Sequence, residues 1–229
     1  MGKLLKTALK WLFRIVIGFI VFSVVLTAAY TYIDPPFTPL MFIRVVEGWF
    51  DAKSTGITKE WRDYEEISPN IFKAVMSGED ARFMSHEGFD WKAIERAQKL
   101  NKTRKRPLGA STISMQTSKN TFLWHGRNYV RKGLEAYYTV LIEALWGKKR
   151  ILEVYVNVIE WGDGIYGVEA AAQTYFHKSA AQLSQREAAL LAAVIPNPRR
   201  WNPAKPTSYI LKRASFIQGR MNSLRPPKE

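Results

Sequence analysis

The chain has 229 residues, of which 47% are hydrophobic and 13% aromatic, a composition that excludes a disordered polypeptide. It contains no cysteine, which excludes disulfides and thiolate metal sites. Its formal net charge of +14 at pH 7 indicates an anionic partner: nucleic acid, a phosphorylated substrate or an acidic lipid surface.

The first predicted element is a transmembrane helix over residues 15–33, a run of 19 residues without a charge. A helix of that length rises about 28 Å, close to the hydrocarbon thickness of a bilayer. The alternatives are a buried core helix and a cleaved signal peptide, whose apolar region is usually only about 7–15 residues long. Residues 1–14 carry four basic side chains, so the positive-inside rule makes them a cytoplasmic tail. The remainder would then lie outside the cytoplasm, which argues against nucleic acid as the partner.

The next segment, residues 34–67, is predicted to be membrane-proximal. Its apolar run at residues 37–43 either packs on the domain core or lies at the membrane, and we predict the second.

Residues 68–229 are predicted to form one mainly α-helical domain, because the apolar spacing there follows the helical period. Residues 102–106 indicate a solvated basic loop. Helices are predicted to begin at the caps Ser68, Asp90, Ser111 and Ser184, the last with a capping box to Glu187, and to cover residues 127–146, 148–161 and 207–224.

Two groups of polar residues in this domain are candidates for chemistry. Glu79 and Asp80 end an apolar run, although such a pair is more often a solvent-facing one. Thr112, Gln116 and Lys119 share one helix face, where they either bind sugar or phosphate groups or are simply solvated.

A basic cluster follows, with arginine suited to bidentate contact with phosphate oxygens. Arg131 and Glu135 are one helical turn apart, so an ordinary intrahelical ion pair also explains them. The basic side chains of this cluster are Lys119, Arg127, Arg131 and Lys132.

These residues together resemble the ordered motifs of the peptidoglycan glycosyltransferases. Residues 79–88 (EDARFMSHEG) resemble the motif E-D-x-x-F-x-x-H-x-G, and residues 109–116 (GASTISMQ) resemble G-A-S-T-I-T-Q-Q. Residues 131–135 match R-K-x-x-E, residues 151–157 (ILEVYVN) match I-L-E-x-Y-x-N, and residues 167–176 (GVEAAAQTYF) are similar to G-x-x-x-A-A-x-x-Y-F.

The match has two departures, both in the second motif. Ser114 keeps the hydroxyl of the usual threonine, whereas Met115 replaces an amide-bearing glutamine. The chain is also expected to lack the transpeptidase domain of bifunctional relatives, and so resembles the monofunctional members. The resemblance implies a lysozyme-like, mainly α fold after the single N-terminal transmembrane helix.

The resemblance also implies a reaction, the polymerisation of lipid II into β-1,4 glycan strands with inversion and release of undecaprenyl diphosphate. Glu79 would be the general base and Glu135 the second catalytic residue, stabilising the leaving diphosphate through a Mg²⁺ or Mn²⁺ ion together with the cations. The substrate-binding residues implied are Asp80, Phe83, His86, Ser111, Thr112, Gln116, Lys119, Arg127, Arg131, Lys132 and Asn157.

The implied partners are lipid II, the growing lipid-linked glycan and the membrane, with cell-wall synthesis or division proteins, and no nucleic acid. The implied location is the bacterial inner membrane, single-pass, with a periplasmic or extracytoplasmic domain. Two alternatives remain open, a lysozyme-like enzyme that cleaves peptidoglycan and a non-catalytic membrane-anchored scaffold. The basic cluster argues against the first, because a glycan without diphosphate offers it no anion.

Overall fold

The structure is a computed structural model that describes residues 2–49, 56–104, 108–126 and 128–228. It divides into two units, Met1–Asp34 and Pro35–Glu229. The first unit is one helix, α1 (Gly2–Ala29), with a mean hydropathy of 2.4 over its most apolar window. Among the described helices it alone is long and apolar enough to cross a membrane.

The bounds of α1 differ from the predicted span. The helix begins within the basic tail and ends at Ala29, so the predicted end at Ile33 was wrong and residues 30–32 form a turn. The N–H groups of Thr31 and Tyr32 bond to the carbonyls three residues back, at Ala28 and Ala29, which closes the turn. Prolines at positions 35 and 36 disfavour a return to helical backbone directly after it.

The second unit is mainly α-helical, as predicted. Its described helices are α2 (Pro39–Trp49), α3 (Pro69–Glu79), α4 (Trp91–Asn101), α5 (Ile113–Phe122), α6 (Tyr129–Leu145), α7 (Lys148–Val158), α8 (Val168–Phe176), α9 (Gln185–Val194) and α10 (Ser208–Met221), with 3₁₀ turns at Tyr64–Glu66, Phe83–Ser85 and Ala180–Gln182.

A small sheet accompanies the helices, with strands β1 (Thr58–Lys59), β2 (Glu160–Gly162) and β3 (Ile165–Tyr166) in the order β1-β3-β2. β3 pairs parallel to β1 and antiparallel to β2. The prediction of one helix over residues 148–161 was therefore wrong at its end. A tight turn through Gly164, whose φ is +71°, reverses the chain there, and the Glu160 carboxylate accepts the Gly164 N–H at 3.3 Å.

Helix starts follow local capping chemistry. Ser68, Asp90 and Ser184 each accept a backbone N–H of the first helical turn, as predicted. The predicted cap Ser111 was wrong, because Thr112 caps α5 by accepting the Met115 N–H. Its hydroxyl also donates to the Gly88 carbonyl, a bond to a distant loop that the local sequence does not reveal.

Most of the predicted membrane-proximal segment belongs to the second unit, which begins at Pro35. Residue 68, the predicted start of the helical domain, is therefore not a domain boundary in the structure. Leu40 and Met41 on α2 are buried with Tyr166, and β1 joins the sheet. Phe37 and Phe42 are exposed. One face of the apolar run thus packs on the core, and the predicted membrane contact concerns the other face.

The core is built around α7 and α9, whose residues from Ile151 to Val158 and from Ala188 to Val194 are buried. Each fully buried large aliphatic side chain contributes about 1.5–3 kcal/mol. The alanines of α9 allow α3 and α10 to pack closely, and a Cβ on Gly78 would meet Ile217 at 3.1 Å. α5 packs between α6 and α7. This packing brings the end of α3 against α5 and α10, where the candidate site lies.

Candidate active site

Glu79 is the last residue of α3 and a largely buried carboxylate. Its Oε2 accepts the Gln116 Nε2–H at 2.9 Å, and its Oε1 accepts an N–H of Arg213 at 3.1 Å. Burial raises the pKa of Glu79, while the Gln116 hydrogen bond and the charges of Arg213 and Lys119 act in the lowering direction. The charge of Asp80 is the smallest contribution, so desolvation rather than the neighbouring acid dominates. The carboxylate can therefore hold a proton more strongly than an ordinary surface glutamate.

Arg213 on α10 is a site residue that the sequence analysis missed. Its Nη2 also lies 3.4 Å from the Gly78 carbonyl, and its Nε is buried without a hydrogen-bond partner among the described residues. Lys212-Arg213 resembles the solvated face of any terminal helix, and Glu79 is 134 positions away. No local signal identifies such a pair.

Asp80 links the first motif to the second through buried hydrogen bonds. It accepts the His86 Nε2–H at 3.0 Å and the Ile113 backbone N–H at 3.0 Å. Phe83 is fully buried beneath the Lys148 ammonium, which lies 4.6 Å from the ring centroid. Asp80 and Phe83 have these internal partners because both side chains are enclosed by the core that supports Glu79, and their contact with a substrate stays a prediction.

In the second motif some residues stabilise the fold and others lie at the candidate site. Thr112 is buried and caps α5, whereas Ser111 is exposed. The contact of either residue with a substrate stays a prediction. Gln116 holds Glu79 with its amide N–H and accepts the Tyr155 hydroxyl at 3.3 Å with its oxygen.

The structure shows the surroundings of Ser114 and Met115, the two residues that differ from this motif. Ser114 donates its hydroxyl to Glu143, and Met115 is buried in the core, where an apolar side chain is well suited. Neither substitution removes a contact to Glu79, whose partner from this motif is Gln116.

Glu135 on α6 is a buried carboxylate paired with two cations. Its oxygens accept from Arg131 and Lys132, so the intrahelical ion pair considered from the sequence is present. Arg131 also donates its Nε–H to the Gly126 carbonyl at 2.6 Å. Arg127 lies outside the described residues.

The donor set around Glu135 does not fit a metal ion held by the protein. Both carboxylate oxygens already serve cations, and no group of three metal-ligating side chains occurs in the described parts of the chain. A Mg²⁺ or Mn²⁺ ion prefers several anionic oxygens and water. The role of such an ion remains a prediction.

Lys119 on α5 lines a cavity of about 250 Å³ beside Gln116. It forms no hydrogen bond or ion pair with the described residues, and burial together with Arg131 and Lys132 lowers its pKa. The other residues lining this cavity are Leu40, Arg44, Asn120, His125, Ile159, Glu160 and residues 195–199.

His125 lines the same cavity. Burial first, and then the charges of Lys119, Arg44 and Arg131, lower its pKa to about 4, so it is neutral at physiological pH. Of the other lining cations, Arg44 pairs with Glu47 and Glu160, and Arg199 pairs with Asp163, which leaves Lys119 as the lining cation without an ion-pair partner among the described residues. An anion beside Lys119 would compensate its charge. The cavity is therefore suited to an anionic group.

Asn157 does not line the cavity beside Gln116, and its substrate contact stays a prediction. The side chain is fully buried, donates to the Arg62 carbonyl at 2.8 Å and accepts the Arg62 N–H at 3.1 Å. It therefore fixes the segment after β1 to α7.

Comparisons with known proteins agree with one another. The profile of one family, described as Transglycosylase, matches residues 49–222. A biosynthetic peptidoglycan transglycosylase of Bdellovibrio bacteriovorus is 51% identical over 216 residues, covering 94% of this chain and 86% of the relative. Those of Rhodospirillum centenum and Caulobacter vibrioides are 49% and 50% identical, covering 95% and 94% of this chain and 92% and 90% of the relatives.

Proposed function

Since the chain belongs to the transglycosylase family, we propose that it is a peptidoglycan glycosyltransferase that polymerises lipid II into β-1,4 glycan strands. The observation that carries the proposal is the placement of Glu79. It is a buried carboxylate with a raised pKa, joined through Gln116 to a cavity that Lys119 lines without an ion-pair partner among the described residues. A proton acceptor beside an anion site is what sugar transfer from a diphosphate requires.

In the proposed reaction Glu79 takes the proton from the 4-hydroxyl of the N-acetylglucosamine of incoming lipid II. The hydroxyl oxygen attacks the anomeric carbon of the growing chain, and the bond from that carbon to the diphosphate oxygen breaks. Undecaprenyl diphosphate leaves with the electron pair, and attack from the opposite face converts the α-linkage into a β-linkage. Gln116 and Arg213 orient the carboxylate by holding one oxygen each.

The leaving diphosphate needs compensation of the charge that develops as its bond breaks. Lys119 is the best placed of the described cations, because it lines the cavity without an ion-pair partner among them. Glu135 holds Arg131 and Lys132 in position for the same anion. Since the donor set around Glu135 does not fit a bound metal ion, no step depends on one.

We further propose that α1 anchors the enzyme in the bacterial inner membrane as a single span, with the N-terminus in the cytoplasm. The support is the apolarity of α1 and the basic residues at its start. The exposed aromatic side chains Phe37 and Phe42 would then contact lipid near the entry of the lipid-linked substrates. Cell-wall synthesis or division proteins remain predicted partners that no described residue identifies.

The test incubates the detergent-solubilised full-length protein with fluorescent lipid II and separates the products on a gel. The variant Glu79→Gln removes the base, and Glu95→Gln is the matched control, because Glu95 is an exposed residue paired with Lys99 on α4. Lysozyme-sensitive polymer from the wild type and the control, but not from Glu79→Gln, is the expected result.

Two other outcomes would replace the proposal. Cleavage of purified glycan without polymer would establish the lysozyme-like alternative. Absence of both activities across detergents and divalent ions would favour a membrane-anchored scaffold.

A further inference from the structure

A second cavity, of about 450 Å³, lies beside the first motif and is not used by the proposed reaction. Two of its lining residues are aromatic, Phe89 and Trp91, with ring centroids 5.5 Å apart and planes inclined by 29°. Trp91 is 70% exposed. The polar residues lining this cavity are Arg82, Ser85, His86, Glu87, Asp90 and Lys92.

We propose that this cavity, the Phe89–Trp91 platform, binds an N-acetylated sugar unit of the glycan strand. The inference rests on the proposed function and adds a sugar-binding subsite to it. A pyranose ring has an apolar C–H face that packs on an aromatic plane, and hydroxyl and amide groups at its edge that need polar partners. The platform offers both surfaces.

The loop that carries the platform is rigid. The carbonyl of His86 accepts from Lys148 at 2.7 Å, and the carbonyl of Gly88 accepts from Thr112. Gly88 has a φ of +84°, and a Cβ there would lie 2.8 Å from Thr139 on α6, so the loop packs tightly on that helix. Binding to a surface held in this way costs little ordering entropy.

The residue between the two aromatics is fixed as well. Asp90 accepts the Ala93 N–H at 3.0 Å as the cap of α4, and it pairs with Arg82 at 3.1 Å. Trp91 therefore remains exposed although its backbone is fixed on both sides. A large apolar side chain held in water by a rigid loop is the pattern of a binding anchor.

The platform is continuous with the catalytic region. His86 lines the cavity with a nearly buried ring and donates its Nε2–H to Asp80, the residue after Glu79. Its Nδ1 is buried without a hydrogen-bond partner among the described residues. A glycan bound on the platform would thus lie next to the residues that support the base.

A sugar is favoured over a lipid surface by the composition of the cavity. Six of its eight lining residues are polar or charged, and the carboxylates of Glu87 and Asp90 balance the cations of Arg82 and Lys92, so the lining has no excess of positive charge to attract anionic headgroups. Carboxylates are repelled by anionic headgroups, whereas they accept hydrogen bonds from sugar hydroxyls.

The test measures binding of fluorescent chitotetraose, a soluble β-1,4 oligomer of N-acetylglucosamine, to the full-length protein in detergent by anisotropy. Trp91→Ala is expected to weaken binding about fivefold or more, and Trp91→Phe to retain most of it. The control is Tyr209→Ala, which removes an aromatic side chain of similar exposure that contacts the Trp201 ring at a tilted angle and does not line this cavity.

The same variants are then assayed with lipid II for strand length and for the rate of the first coupling. Trp91→Ala should give shorter strands with a smaller effect on that first rate, because a longer product gains more from a second sugar contact. Vesicles containing anionic lipid serve as a third probe.

The proposal is overturned if the wild type does not bind chitotetraose, or if Trp91→Ala binds it as the wild type does. It is also overturned if Trp91→Ala loses only vesicle binding, which would make Trp91 a membrane contact. Polymer from the wild type together with unchanged chitotetraose binding in Trp91→Ala would refute the platform and leave the proposed function intact. Chitotetraose binding that depends on Trp91, without any polymer, would refute the function and leave the platform.

Discussion

Two buried glutamates of this protein, Glu79 and Glu135, have opposite electrostatic surroundings. Glu79 lies between an amide and one arginine, and burial raises its pKa. Glu135 receives both Arg131 and Lys132 on its own helix. A buried carboxylate whose negative charge is only partly balanced by nearby cations is suited to accept a proton. A buried carboxylate that is paired with two cations instead holds those cations in place. The same residue type therefore supplies a base in one region and a support for anion binding in the other.

The largest effect that tests this contrast is loss of the base. Glu79→Gln keeps the shape of the side chain but cannot accept the proton, and its single amide oxygen can accept from only one of Gln116 and Arg213. We therefore expect kcat to fall about 10²–10⁴-fold. Single-turnover coupling of lipid II measures this, and the melting temperature shows that the fold is intact. A variant with more than a tenth of wild-type kcat would remove Glu79 from the role of base.

Glu135→Gln tests the opposite role. It leaves Arg131 buried without its counter-charge, so the free energy of unfolding should fall by about 3 kcal/mol. Denaturant unfolding in detergent measures this change. The KM for lipid II should rise as well, because the side chains of Arg131 and Lys132 lose the carboxylate that holds them in place.

Glu143→Gln is the control for this experiment, since that carboxylate pairs with Lys148 outside the cation cluster. Equal increases in KM for the two variants would mean that Glu135 has no special relation to the diphosphate.

Arg213→Met should change the pH dependence. The Arg213 charge lowers the pKa of Glu79, so its removal raises that pKa further, and the acidic limb of kcat/KM against pH moves to higher pH. Arg220→Met is a control on the same helix, because Arg220 lies over the Phe216 ring. An acidic limb that stays in place in Arg213→Met would show that another group sets it.

The smallest expected effect is that of chelation. Because the oxygens of Glu135 already serve two cations, removal of divalent ions should lower kcat less than about tenfold. The factor should be the same in Glu135→Gln as in the wild type. A response to Mg²⁺ or Mn²⁺ that disappears in Glu135→Gln would make Glu135 a metal ligand after all.

Features that depend on neighbours within one or two helical turns could be predicted from the amino-acid sequence. The caps Ser68, Asp90 and Ser184 lie where their side chains predict, and the ion pair of Arg131 with Glu135 follows from their spacing. The apolar run of α1 and the mainly helical character of the domain also follow from residues that are close together in the sequence. The order of the motifs along the chain is enough to indicate the family.

Only the tertiary structure decided which motif residues face the site. Gln116 meets Glu79 across 37 positions and Arg213 meets it across 134, so no local pattern pairs them. Asn157 and Phe83 occur in motifs but are enclosed by the core. The motifs of this chain thus contain residues that pack in the core as well as residues that line the site, and burial, which depends on the whole chain, distinguishes the two.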